Sequence, residues 1–458
     1  MNGYRLGGNE GGPVYGHARS RLINQRLGSG LETLSTCEDA NEWSINAEPG
    51  ATVTVTDVTH IDTGAFPEGY SDLPAQRLTP FAFSNIGPLP GQGNRMLKIE
   101  VTGGTASVYL PFSPRSFDPT GDDPASPLFY GWRDNISPDT TADISADLYT
   151  DTPGQAPYHR ATFSAQFHFG YPGATWEALS SVVHSFTGGS LRWVPSASPA
   201  PENKTATGFG LTLAPSAGHT ARVYVSGVFR VPHTRSRGAI LLDYDDGFAS
   251  QHDIIFPYIA GKGYRANIGI VGQYMEDGEG PNDTPCMTIP QMIAMQNAGF
   301  DMISHTWSHT SMGTLGAAAR LADIRDNYDW LASHGITGRR FFMAPFNNYT
   351  RHGNEIIRRY HHMSRARSTS ITSHVVPAVR QHEFNSRAGS NTSLDWWTNR
   401  MAEAEATRGV FAAHMHGVDD ASWEPMTTAF FESVIDAIAN YDIDVLTWSD
   451  LYAESLGH

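Results

Sequence analysis

Near residue 235 the hydrophobic pattern of this 458-residue chain changes its period, and that change narrows the possible folds more than any other feature. Between about residues 30 and 231 apolar side chains recur at every second position. Thr52-Val53-Thr54-Val55-Thr56, Met96 through Val101, Ala142 through Tyr149 and Ala221 through Val225 all alternate or nearly so. Period two sends successive side chains to opposite faces, so each segment reads as a strand with one buried face. Val101 through Leu110 carries Gly103-Gly104 at its centre and predicts a hairpin, the glycines supplying the positive φ of a tight turn. Short strands separated by Pro, Gly and Asp, with almost no helical periodicity, predict a β-sandwich of jelly-roll type.

After Arg237 the rhythm becomes strand, then helix, repeatedly. Apolar runs stand at Ala239–Leu242, Ala266–Val271, Phe300–Ile303, Phe341–Ala344, Val410–Ala413 and Asp444–Thr447, with a weaker strand near residues 363–371. Amphipathic stretches lie between them, such as Ala317–Leu331, where Leu321, Ile324, Tyr328 and Leu331 fall at helical spacing, and Phe430 through Ile438. Parallel strands wrapped by helices produce such a pattern, and a deformed (β/α)7-type barrel is expected. The domain division that follows is a Gly-rich arm over 1–29, a sandwich over 30–235 and a barrel over 236–458. In barrels of this kind chemistry gathers at the C-terminal ends of the strands.

Charge and cysteine content exclude several function classes. Lys and Arg number 31 against 47 Asp and Glu, a formal charge of −16, which disfavours nucleic acid and anionic membrane as partners. No run approaches 18 apolar residues, so no membrane span is expected. Two cysteines, Cys37 and Cys286, are too few for a disulfide framework, although they are free to pair with each other. Residues 1–28 lack a basic start followed by an apolar core, so no secretory signal is expected. Action outside the producing cell or on a virion remains compatible with this organisation.

Three clusters fall at strand ends in the second half. Leu241-Leu242-Asp243-Tyr244-Asp245-Asp246-Gly247 runs an apolar strand into adjacent acids, which repel unless a cation lies between them. Asp-Asp-Gly by itself is also what a solvated turn looks like. Ser304-His305-Thr306-Trp307-Ser308-His309 places two imidazoles four residues apart, able to meet at one point from a single helical turn. With one carboxylate they make a three-ligand site with an open position, the arrangement of a hydrolytic metal centre. In a chain with 19 histidines the pair alone is weak evidence. Val410 through Gly417 ends in His414-Met415-His416, one of which can act as a general acid while the other hydrogen-bonds within the barrel.

In combination these residues resemble the polysaccharide deacetylase family, carbohydrate esterase family four, which includes nodulation-factor chitooligosaccharide deacetylases. The family's Thr-Phe-Asp-Asp-Gly motif is similar to Asp243–Gly247, and its His-Ser/Thr-x-x-His motif is matched by His305–His309. Its Pro-Tyr/Phe motif resembles Phe342-Met343-Ala344-Pro345-Phe346, and its Leu-x-His or His-Gly strand resembles Ala412–Gly417. The resemblance spans roughly residues 237–455. It implies one divalent metal, usually zinc, with Asp246, His305 and His309 as ligands, Asp245 as general base and His416 or His414 as acid. It further implies that the Phe346 N–H supports the oxyanion, and that Pro345 and Trp307 contact substrate. The implied reaction is removal of acetyl groups from an N-acetylhexosamine or O-acetylated glycan by water activated on the metal, with a polysaccharide as partner and oligomerisation open.

Two departures accompany the resemblance. Many family members carry an Arg in the third motif that orients the catalytic Asp, whereas Met343 or Ala344 stands there, and Arg367 is the candidate substitute. A motif with Asp and a substrate-stacking Trp has no clear match: in Asp395-Trp396-Trp397, Leu394, Trp397 and Met401 fit the buried face of a helix. Trp132, Trp176 and Trp193 are candidates for sugar stacking in the first half, each also suited to core packing. Two other readings compete, a catalytically silent glycan-binding adhesin and an amide hydrolase for a small non-sugar substrate.

Overall fold

The computed structural model describes residues 31–58, 95–118, 121–133, 143–149, 161–166, 177–180, 194–195, 205–347, 351–366, 374, 376 and 384–456. The arm over 1–29, Arg367, Trp176, Trp193 and the side chain of Trp132 lie outside the described residues.

The period-two segments form two antiparallel sheets of six strands each. One contains Glu32–Ser35, Thr52–Val58, Met96–Thr102, Ala125–Arg133, Glu177–Ser180 and Thr220–Pro232. The other contains Ser44–Ala47, Ala106–Ser116, Asp143–Tyr149, Ala161–Gln166, Val194–Pro195 and Thr205–Ala214. Leu97, Ile99, Val101, Val223 and Val225 from the first meet Val108, Leu110, Leu148, Phe209, Leu211 and Leu213 from the second in one apolar cluster. Alternation along each strand supplies that single inner face.

The expected hairpin at Val101–Leu110 is corrected. Met96–Thr102 pairs with Thr52–Val58 and Thr220–Pro232, whereas Ala106–Ser116 pairs with Ser44–Ala47 and Thr205–Ala214. The Gly103-Gly104 turn, with Gly103 at φ +81°, therefore carries the chain from one sheet to the other. Both flanking strands have strongly apolar faces, and burying the two faces against each other removes more surface from water than pairing their edges would.

In the second half the parallel strands are Gly238–Tyr244, Asn267–Ile270, Asp301–Ser304, Phe341–Met343, Met363–Ala366, Val410–Met415 and Ile443–Leu446, with the short pieces Phe384–Asn385 and Arg387–Ala388. They form one nine-stranded sheet whose path begins at Phe384–Asn385 and ends at Arg387–Ala388, with Ile443–Leu446 also pairing to Gly238–Tyr244. Only Ser386 separates those two ends along the chain, so the sheet curls back upon itself.

Helices cover its outer face. On Gly238–Tyr244, Ile240, Leu242 and Tyr244 point outward among Ile255, Ile259, Phe431 and Ile435. Ala239 and Leu241 point inward among Ile303, Met343, Met363, Val410, Ala412 and Trp448. The same alternation sends Asp243 and Asp245 inward, above that apolar plug. Helices Ala317–Ser333, Leu394–Thr407 and Thr428–Ile438 occupy three of the amphipathic stretches. Trp397 and Met401 are fully buried, but Leu394 is exposed, because it is the first residue of its helix and faces solvent there. Cys37 and Cys286 are free thiols buried in separate clusters. Among the described residues no helix is long and apolar enough to cross a membrane.

Candidate active site

The acidic turn grows directly out of the central strand. Asp245 continues the strand's pairing by donating its N–H to the Met415 carbonyl at 2.8 Å. Asp246 and Gly247 then both adopt φ near +81°, reversing the chain so that two consecutive carboxylates face one cavity. Only a glycine accepts such a φ without strain, so Asp246 carries a backbone cost that its position must offset.

The histidines arrive on a loop, not on the helical turn expected from their spacing. Thr306 and His309 have φ of +67° and +54°, and the segment between the Asp301–Ser304 strand and the helix Ala317–Ser333 is irregular there. That helix holds the loop: Asp323 accepts the Ser308 N–H at 2.7 Å through its side chain and the Trp307 N–H at 3.0 Å through its carbonyl. Asn327, fully buried on the same helix, donates to the Ile270 carbonyl at 2.9 Å and Ser304 Oγ at 3.0 Å, and accepts from Gly272 N–H at 3.0 Å. One side chain thus stitches together two strand ends below the site. Gly269 leaves the space above: a Cβ there would lie 3.3 Å from His305 Cγ and 3.4 Å from Asp245 Oδ1.

Asp246, His305 and His309 present three ligand atoms within 4.8 Å of one another. His309 Nε2 lies 3.2 Å and His305 Nε2 3.5 Å from Asp246 Oδ1. This donor set fits a divalent cation on its own chemistry. His305 donates Nδ1–H to the Met343 carbonyl at 2.8 Å, which directs the Nε2 lone pair toward Asp246. Asp246 Oδ1 is buried with no hydrogen-bond partner among the described residues. Burial pushes His309 down to about 4, the neutral form a metal requires. Burial opposes the Asp246 carboxylate, but His305 and His309 outweigh it and hold its pKa below the ordinary value.

Asp245 is placed differently. Its Oδ2 is gripped by Nη2 of Arg365, and its Oδ1 is buried with no hydrogen-bond partner among the described residues. Burial works against this carboxylate too, yet the Arg365 guanidinium and the nearby His305 overcome it and hold Asp245 well below the usual range. One oxygen is thereby anchored, and the other is left to accept a proton.

Arg367, the expected partner of Asp245, lies outside the described residues, and among those described Arg365 reaches this carboxylate. The guanidinium that holds Asp245 enters from the strand Met363–Ala366, two residues earlier, and is completely buried. A sequence signal existed: Arg365 is a single charge inside a short strand whose alternation carries it inward beside the inward-facing Met363.

Of the two terminal histidines, His414 is fully engaged. Its Nδ1 meets Ser386 Oγ at 2.9 Å, and its Nε2 accepts from Asn347 Nδ2 at 3.3 Å. Burial, followed by Arg365, pushes it down to about 3, so it is neutral. His416 sits one strand repeat further out, and its Nδ1 is buried with no hydrogen-bond partner among the described residues.

Pro345 is buried under a turn in which Phe346 and Asn347 have φ of +54° and +49°. The Phe346 ring packs on His309 with centroids 4.7 Å apart while remaining 64% exposed. The half-buried Trp307 packs its indole over Gly272 and meets Trp330 edge-on at 6.4 Å. Tyr274 lies 5.8 Å from the His309 ring and adds an aromatic wall the sequence did not mark. Beyond His416 a loop tied by Met426 N–H to Gly417 O at 3.0 Å and by Ser250 Oγ to Asp420 at 2.5 Å presents Trp423, 69% exposed.

Several solved structures are similar to this chain. Three of them are a family 4 carbohydrate esterase from Streptomyces lividans in complex with acetate (17% identity, TM-score 0.33, 46% of this chain and 92% of that one), the Xyl-CE4 domain of a multidomain xylanase from the hindgut metagenome of Trinervitermes trinervoides (17%, 0.33, 47% and 90%), and the chitin deacetylase of the fungal pathogen Colletotrichum lindemuthianum (17%, 0.34, 49% and 89%). No curated protein sequence matches the chain. The sequence profile of the polysaccharide deacetylase family matches residues 233–363, a stretch holding Asp245, Asp246, His305, His309, Pro345 and Phe346. That match marks a polysaccharide deacetylase domain at residues 233–363.

Proposed function

We propose that the C-terminal half is a metal-dependent deacetylase of an acetylated polysaccharide, built as a deformed (β/α)7-type barrel over 236–458. A β-sandwich over 30–235 would accompany it. The observation that carries the reading is the pairing of one ligand group with one free carboxylate oxygen. Asp246, His305 and His309 converge, and Asp245 Oδ1 stands beside them without a partner among the described residues.

A divalent ion, zinc being the natural candidate for this His/His/Asp set, supplies Lewis acidity to a carbonyl oxygen and lowers the pKa of water. Asp245 Oδ1 takes the proton of the attacking water, while Arg365 keeps Oδ2 from competing for it. The backbone N–H of Phe346 donates to the oxygen that gains charge at the acetyl carbon. His416 returns a proton to the departing sugar nitrogen or oxygen. His414, neutral and held through both ring nitrogens by Ser386 and Asn347, keeps its place beside Asp245 without exchanging a proton. Phe346 and Trp423 offer exposed aromatic faces suited to pyranose rings, which stack their C–H faces on such surfaces.

Acetate release from N-acetylated and O-acetylated bacterial glycans tests the reading. Turnover should vanish on chelation and return with added zinc, and Asp245→Asn should lower kcat by about 10²- to 10⁴-fold, the usual contribution of a positioned acid or base. Undiminished turnover after complete metal removal would sink the metal assignment. Full activity in Asp245→Asn would sink the role of the base.

A further inference from the structure

Behind Asp245 lies a second buried carboxylate that the chemistry above does not use. Asp243 is completely buried, two residues earlier on the same inward-facing row. Its Oδ1 accepts from Asn267 Nδ2 at 2.9 Å and from Trp448 Nε1 at 3.1 Å. Its Oδ2 makes no hydrogen bond among the described residues and faces Arg365 Nη1 at the longer ion-pair distance of 3.5 Å. Burial pushes its pKa up to about 7, and Arg365 pulls the other way. Asn267 is itself fixed, because its Oδ1 accepts the Trp448 backbone N–H at 3.0 Å. Each of these three groups facing Asp243 is a donor, a setting that suits an acceptor-only carboxylate, which hydrogen-bonds Asn267 and Trp448 and pairs by charge with Arg365.

Arg365 is spread between two acids that project from one strand. Nη1 faces Asp243 and Nη2 grips Asp245, so the planar fork bridges the pair and is not bidentate on either. The consequence is geometric. With both acids present the guanidinium is held at one angle, and a single arm reaches the base. Without Asp243 both arms can close on Asp245, covering the oxygen that must take a proton.

We propose that Asp243 is a positioning residue for Asp245, acting through Arg365: it holds one arm of the guanidinium so that only one oxygen of the base is occupied. The inference rests on the deacetylase reading for its kinetic meaning, and on the Asp243–Arg365–Asp245 geometry for everything else.

Asp243→Asn tests it with little change in volume. An amide at this position sets an N–H2 group against a donor whichever way it is turned. The expected result is a fall in kcat of about 10- to 100-fold, the range seen when an outer-shell partner is removed. KM and zinc stoichiometry should stay within about twofold of wild type, since no substrate or metal contact is touched. Arg365→Lys keeps the charge but removes the fork, and should also lower kcat. The double variant should be no slower than the slower single, because both act through one path.

A wild-type kcat in Asp243→Asn, single-variant losses that multiply in the double, or a loss expressed mainly in KM would each overturn the proposal. A crystal structure of Asp243→Asn gives a readout that needs no substrate. Both Nη atoms of Arg365 should close on Asp245, and an Arg365 left in its bridging position would overturn the proposal. Absence of acetate release by the wild-type protein would instead overturn the deacetylase reading, while the crystallographic position of Arg365 would still decide whether Asp243 holds it.

Discussion

The two halves of the chain bury very different things. Between the antiparallel sheets the described core is an apolar cluster, from Leu97 and Val101 on one side to Leu211 and Leu213 on the other, with the buried Arg230 paired to the exposed Asp123. Inside the parallel sheet an apolar plug of Ala239, Leu241, Met343 and Trp448 gives way, one strand repeat higher, to Asp243, Arg365, Asp245, His305 and His414, all buried. Charges that have left water are tolerated only where each has a partner or a waiting ligand. Arg365 provides for two of the carboxylates, and the third, Asp246, faces two imidazoles. The contrast teaches that, among the described residues, the first half packs a chiefly apolar core while the second gathers buried charges around one site.

That contrast can be broken most forcefully in the first half. Leu211 is fully buried in the cluster between the sheets. Leu211→Ala should cost about 2–5 kcal/mol of stability, as large-to-small core changes do, with kcat of the folded protein unaltered. Denaturant titration beside acetate release measures both, and a parallel fall in kcat would show that the two regions are not separable in this way.

A smaller effect of opposite character is expected at Gly269. Its missing Cβ would lie 3.2 Å from Met343 Sδ, 3.3 Å from His305 Cγ and 3.4 Å from Asp245 Oδ1, so Gly269→Ala must displace reactive groups slightly. Turnover should drop by about tenfold, in line with the sensitivity of catalysis to sub-ångström placement, while the unfolding midpoint barely moves. Strong destabilisation with intact turnover would contradict the assignment.

The gentlest probe concerns pH. His361 is fully buried, donating Nδ1–H to the Ile357 carbonyl at 3.1 Å, and burial drives it down to about 3 from 6.5. The unfolded chain therefore binds a proton between those values that the folded chain refuses. Stability is complete above pH 6.5 and declines as the pH falls toward 3. His361→Gln keeps a donor and does not titrate, so near pH 5.5 the variant should recover about 1 kcal/mol relative to its own deficit at pH 8. Thermal melts of both proteins across that range would show it, and parallel curves would rule it out.

Much of this was legible from residue order. The expected strand segments at 52–56, 96–101 and 221–225 fall in strands, as does 143–149 of the segment expected from 142, because alternation reports one buried face regardless of partner. Partner choice was not legible: Gly103-Gly104 predicts a tight turn correctly and its hairpin wrongly, since a local pattern does not say whether flanking strands meet by edge or by face. At the site, Asp245, Asp246, His305 and His309 were marked by type and spacing. Their helical-turn geometry was not, because Thr306 and His309 adopt left-handed backbone that helix Ala317–Ser333 imposes through Asp323.

Sequence alone determined the two rhythms, the acidic net charge and the residues capable of holding a cation, since each is a property of neighbouring positions. Only the tertiary structure decided that Arg365 grips Asp245, that Asp243 faces the other arm of that guanidinium, and that both ring nitrogens of His414 find partners while Nδ1 of His416 finds none among the described residues. Those outcomes depend on which side chains from distant strands reach the same few ångströms of buried space, where low dielectric makes every partner count.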